Sequence, residues 1–91
     1  MEVNGYKIEP GANLWGANLA NATLHDANLS YADLRFANLT DANLRKANLI
    51  FINLSGADLS HADLHYADLH NADLSEANLT GATMPDGTKH P

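Results

Sequence analysis

Residues 37–69 read "ANLTDANLRKANLIFINLSGADLSHADLHYADL". Leu recurs at every fifth position from Leu39 to Leu69, and Ala stands two places before each Leu except at Ile52. Five matches neither the two-residue alternation of a strand nor the period of a helix, about 3.6 residues. Followed outward, the register runs from Leu14 to Leu79 and ends on Met84, giving 15 units over residues 12–86. The place two before the centre is Ala in 14 of the 15 units, so its size is fixed. The place one before is Asn in 8, Asp in 5 and Thr in 2. The two places after the centre vary freely, as in Trp15-Gly16, Arg35-Phe36 and Ile50-Phe51.

Two fixed apolar positions in five must share an interior, and the other three face water. A long helix would scatter those apolar positions around its circumference instead of gathering them into one stripe. Asn or Asp in every turn would weaken it further. A plain strand would slip phase at every unit. The remaining solution is a chain that bends at each unit and coils about an axis. Its coils stack by parallel backbone pairing about 4.8 Å apart, with Ala beside Leu filling a narrow interior.

The tandem A(N/D)LXX pattern over residues 12–86 resembles the pentapeptide repeat family. The resemblance implies an all-β fold, a right-handed quadrilateral parallel β-helix with four pentapeptides per coil. Fifteen units then make about 3.75 coils, a solenoid roughly 18 Å tall. Residues 1–11 are expected to form an N-terminal cap that lays Val3, Tyr6 and Ile8 over the first coil and turns in at Pro10-Gly11. At the other end Pro85-Asp86-Gly87 reads as a turn, and residues 87–91 as a C-terminal tail.

Composition narrows the function. The 91 residues contain no Cys, and 11 acids stand against 5 bases for a net charge of −6. Direct nucleic-acid binding needs clustered Lys and Arg, which this balance lacks. The start, Met-Glu-Val-Asn-Gly-Tyr-Lys, has no signal-peptide pattern. No run approaches the roughly 20 apolar residues that span a bilayer. The expectation is a cytoplasmic protein with no membrane contact. There is no nucleophile elbow or phosphate-binding glycine loop, and outward side chains on a convex rod do not converge. The chain therefore reads as no enzyme, with no catalytic residues, cofactor or metal. His61, His65 and His70 fall on successive sides and point outward, which argues against one shared ion.

With four units per coil, residues 20 apart share a column. In the column before the centre no Asp lies directly above another, the arrangement that like-charge repulsion and Asn ladders favour. Tyr31 and Phe51 share a column, Phe36 lies on the next side and Ile50 adjoins Phe51. Tyr31, Phe36, Ile50 and Phe51 are the candidate partner-contact patch, because exposed apolar clusters mark contacts. Ile52 should point inward, swelling or bending that corner or offsetting a smaller neighbour. Trp15 shares a column with Arg35, the arrangement of a cation–π contact. The resulting expectation is a non-enzymatic structural or protein–protein interaction module, a monomer or weak end-to-end dimer with a protein partner. The resemblance implies a bacterial, cyanobacterial source. It also supplies an alternative, an acidic DNA mimic acting on an enzyme such as DNA gyrase, as some relatives do. Roughly 18 Å of solenoid spans only about five base pairs, which weighs against it.

Overall fold

In the computed structural model, which describes all residues from Met1 to Pro91, each repeat Ala closes a turn. The Ala17 N–H donates to the Leu14 carbonyl at 3.0 Å, and the same bond recurs in every unit up to Ala82 and Leu79 at 2.9–3.1 Å. The second of the two variable residues has positive φ, for example 60° at Asn21, 62° at Tyr31 and 71° at Gly56, and the first does not. That combination defines a type II turn. It explains why a five-residue period exists at all: two residues turn the corner and three run extended to the next.

Those three residues are too few for a regular strand, so each side contributes one parallel bridge. The bridges run Asn13↔Asp33↔Asn53↔Asp73 on one side and Asn18↔Asn38↔Asp58↔Asn78 on the next. The offset is 20 residues everywhere from Asn13 to Thr83, so four five-residue units separate one level from the next. Three bonds per unit tie adjacent levels. Leu14 and Gly16 N–H donate upward to the Asp33 and Arg35 carbonyls, both at 2.8 Å, and Asp33 N–H returns to the Ala12 carbonyl at 2.9 Å.

With the turn bond, this satisfies four of the five N–H groups in a unit. The fifth belongs to the first variable residue, and the Asn or Asp two places before it accepts that bond. Asn38 Oδ1 takes the Thr40 N–H at 3.0 Å, Asp58 Oδ1 the Ser60 N–H at 3.0 Å, and Asn43 Oδ1 the Arg45 N–H at 3.1 Å. Short side chains that reach their own backbone two residues on are the Asx turn. All 13 Asn and Asp residues at this position do it. Stacking preferences bear on where Asp replaces Asn in a column; local backbone satisfaction is what fixes these residue types at this position. Thr83 precedes Pro85, which has no N–H to offer, so the acceptor is not needed there.

The interior is wholly apolar. The ten leucines from Leu19 to Leu64 are no more than 1% exposed, and no polar side chain is buried. Ile52 is inside at 1%. Its turn bond to Leu49 stays at 3.1 Å and its carbonyl accepts the Asp73 N–H at 2.9 Å, so the corner does not swell.

The amino end is covered. Strands β1 (Glu2–Val3) and β2 (Tyr6–Lys7) pair antiparallel across Asn4-Gly5, whose φ values of 54° and 83° suit the Asn-Gly type I′ hairpin. Val3, Tyr6 and Ile8 pack on the core, and the Tyr6 hydroxyl accepts the Asn18 N–H at 3.2 Å. The repeat's turn geometry reaches back to Glu9: Ala12 N–H donates to the Glu9 carbonyl at 3.2 Å with Gly11 at φ 72°. Pro10 and Gly11 are the residues a type II turn prefers in its two central places. At the other end the chain turns through Pro85–Gly87 and comes back, so that Thr83 and Lys89 form an antiparallel bridge.

Candidate functional site

The left-handed corners decide what the surface displays. A non-glycine residue there costs about 1–2 kcal/mol, and bulky residues rarely accept it. Yet Tyr31, Phe36, Phe51 and Tyr66 all occupy such corners, at φ 57–64°. They are 48–66% exposed, so burial does not offset that cost.

The aromatic side chains group into pairs. Tyr31 and Phe51 stack, with centroids 5.1 Å apart and planes 11° from parallel. Phe36 meets Trp15 edge-on at 5.5 Å. Tyr31 and Phe36 end consecutive units, so the two pairs stand at the two corners of a single side. The patch expected from Tyr31, Phe36, Ile50 and Phe51 is thus divided: Phe36 belongs with Trp15, across the side from Tyr31 and Phe51. Ile50 is half-buried at the same corner as Phe51, and its carbonyl accepts the Tyr31 N–H at 3.0 Å. The Trp15–Arg35 cation–π contact does not form. Arg35 turns instead to Asp33, Nε to Oδ1 at 2.9 Å and Nη2 to Oδ2 at 2.7 Å, in the middle of the same side. Hydrogen bonding from Arg35 holds the Asp33 carboxyl below its ordinary value.

The Phe36 ring also lies against Gly56, one level up. A Cβ at Gly56 would sit 2.5 Å from Phe36 Cε1, so only glycine accepts both the ring and the positive φ of 71°. The His61 ring covers Gly81 in the same way. The sequence carries this signal in its columns, as an aromatic ring followed by glycine 20 residues later.

A third group brings Arg45, Asp63, Tyr66 and His65 together. Arg45 Nη1 bonds Asp63 Oδ2 at 3.3 Å and its guanidinium lies 5.9 Å from the Tyr66 ring centre. His65 stacks on Tyr66 at 3.8 Å. His70 turns to Asp68, whose carboxyl that bond pulls below its ordinary value. The three histidines thus face different neighbours.

This geometry has known counterparts. The pattern of the family "Pentapeptide repeats", in 8 copies, matches residues 11–45 and 42–81. The chain belongs to the pentapeptide repeat family. Among solved structures it resembles a pentapeptide repeat protein from the Arabidopsis thaliana thylakoid lumen, with a TM-score of 0.80 and 38% identity over 81% of this chain and 51% of that one. The pentapeptide repeat protein Rfr23 from the cyanobacterium Cyanothece 51142 gives a TM-score of 0.80 and 40% identity, covering 87% of this chain and 54% of that one. A pentapeptide repeat protein from Nostoc PCC 7120 gives 0.65 and 44% identity, over 79% and 64%. The chain therefore spans between half and two thirds of the length of these relatives. No curated protein matches it. The pentapeptide repeat chain is thus a β-helix of the kind found in cyanobacteria and in a plant thylakoid lumen.

Proposed function

We propose that this pentapeptide repeat chain is a non-catalytic docking module, a right-handed square β-helix of about 3.75 coils that receives a protein partner on one side. The observation that carries this reading is the pair of aromatic corners. Tyr31 with Phe51 and Trp15 with Phe36 frame the side that holds the Asp33–Arg35 ion pair. Stacking contributes about 0.5–1.5 kcal/mol per pair, whereas the two left-handed residues of the Tyr31–Phe51 pair cost about 2–4 kcal/mol and the one in the Trp15–Phe36 pair, Phe36, about 1–2 kcal/mol. Stability alone therefore favours glycine or asparagine at these corners, and the aromatic choice points to contact. Aromatic side chains and Arg are what interface centres use.

The alternative of DNA mimicry finds less support. Asp58, Asp63, Asp68 and Asp73 fall on four successive sides and encircle the rod, whereas two phosphate strands would call for rows along it.

The test uses the double variant Tyr31→Asn/Phe51→Asn, because asparagine accepts positive φ and keeps the corner. A protein retained from the source organism's lysate by the native chain should be lost from the variant, with an unchanged circular-dichroism spectrum. Equal recovery by both chains removes the aromatic side as the docking surface.

A further inference from the structure

The last level of the solenoid is only partly covered. Leu69, Leu74, Leu79 and Met84 are only half-buried, while their equivalents one level down are inside. The upward N–H groups of Leu69, Asn71, Leu74, Glu76 and Leu79 have no acceptor, and the Ala67, Ala72 and Ala77 carbonyls have no donor. This is an open β-edge on three sides of the coil.

On the fourth side the chain shows how such an edge is filled. Its own tail lies antiparallel on residues 81–84. Met84 N–H donates to the Thr88 carbonyl at 2.7 Å, Gly81 N–H to the His90 carbonyl at 2.9 Å, and His90 N–H returns to the Ala82 carbonyl at 2.8 Å. The docked segment is Thr88-Lys89-His90, extended and basic.

We propose that the open C-terminal edge accepts an extended, basic segment of a partner protein as an added antiparallel strand. The surface is separate from the aromatic side and does not depend on it. Charge selects the occupant. Residues 67–86 carry Asp68, Asp73, Glu76 and Asp86 with no Lys or Arg, and Asp58 and Asp63 lie just below. A second copy docked end to end would set these carboxylates against their equivalents, and a basic strand would neutralise them. Alternate side chains of an added strand would point down onto the half-buried leucines, and the others would meet the carboxylates at the rim. A shallow depression lined by Ala67, Asp68, Leu69, His70 and Pro85 opens beside the turn. The amino end has unpaired N–H groups too, at Asn13, Thr23 and Asn28, but there Val3, Tyr6 and Ile8 already cover the leucines.

The probe is a capped peptide of alternating Lys and Val, with an alternating Glu and Val peptide as control. Amide exchange is followed by NMR on the full chain. The Lys peptide should slow exchange on one side of the edge, at Leu74 and Glu76 beside Asp73, and the Glu peptide should not. The variant Asp68→Asn/Asp73→Asn/Glu76→Asn keeps the Asx bonds and the left-handed corner. Its affinity for the Lys peptide should fall about tenfold, the sum of three modest screened contacts. Three results overturn the proposal: binding that leaves those amides unchanged, equal binding of the Glu peptide, or a free chain that is already dimeric with those amides protected.

Discussion

At the amino end Leu14, Leu19, Leu24 and Leu29 are at most 3% exposed; at the carboxyl end Leu69, Leu74, Leu79 and Met84 are half-buried. The motif is the same in both places. What differs is the chain outside it: a hairpin and Ile8 lie over the first level, and a short tail covers one side of the last. The repeat thus decides which way each side chain points, and the residues beyond it decide whether that direction leads out of water. An interior rung is buried by the rungs on either side of it, and a terminal rung has only one.

The largest test of that contrast is leucine truncation. Leu39, 0% exposed in the middle of the rod, should lose about 2–5 kcal/mol on replacement by Ala, the range for a fully packed leucine. Leu79→Ala removes the same atoms from a half-open place and should cost about 1 kcal/mol. Urea denaturation followed by circular dichroism reads both. Equal losses would mean that the open end is covered in solution and that the two ends are alike.

A smaller difference concerns the rung beside each turn. Asn43→Ala strips the acceptor from the Arg45 N–H and should cost about 1 kcal/mol. Thr83→Ala, at the end, removes no such bond because Pro85 has no N–H, and should stay within about 0.5 kcal/mol. If the two variants are equally unstable, the Asx bond is not what holds asparagine and aspartate at this position.

How much of this could be read beforehand follows from which interactions are periodic. Inward Ala and Leu and the inward Ile52 follow from counting, since each is a property of position within the unit; the 20-residue level, and with it the vertical registry of Tyr31 with Phe51, is what the resemblance to the family implies. The reason for Asn and Asp was missed because it requires knowing that one N–H per unit points away from both neighbouring levels. The contact of Phe36 with Trp15 is not legible from a column, which gives vertical neighbours, because it runs diagonally between the two variable positions. The hairpin at Asn4-Gly5 was legible in principle from its dipeptide. The antiparallel tail was not, since Thr88-Lys89-His90 has no periodicity to betray where it docks.

The smallest effect separates the two halves by pH. Hydrogen bonds from their own turns hold Asp58, Asp68 and Asp73 below the ordinary value of 3.8, as do Arg35 for Asp33 and Thr88 for Asp86. A carboxyl whose folded value is depressed contributes stability that is complete above its unfolded value and fades as pH falls through the folded one. The window therefore opens near pH 4 and lies below it. Four of the five groups belong to residues 58–86, so acid should loosen the carboxyl half while the amino half still holds. Amide exchange measured between about pH 2 and pH 5 should show protection lost first at Leu59 and Leu64, and later at Leu19 and Leu24. Asp58→Asn/Asp73→Asn retains both Asx bonds and removes two of the titrating groups, so its carboxyl half should keep its protection to lower pH. Loss of protection at the same pH in both halves, or no gain in the variant, would show that the ends differ in burial alone and that charge plays no part in the contrast.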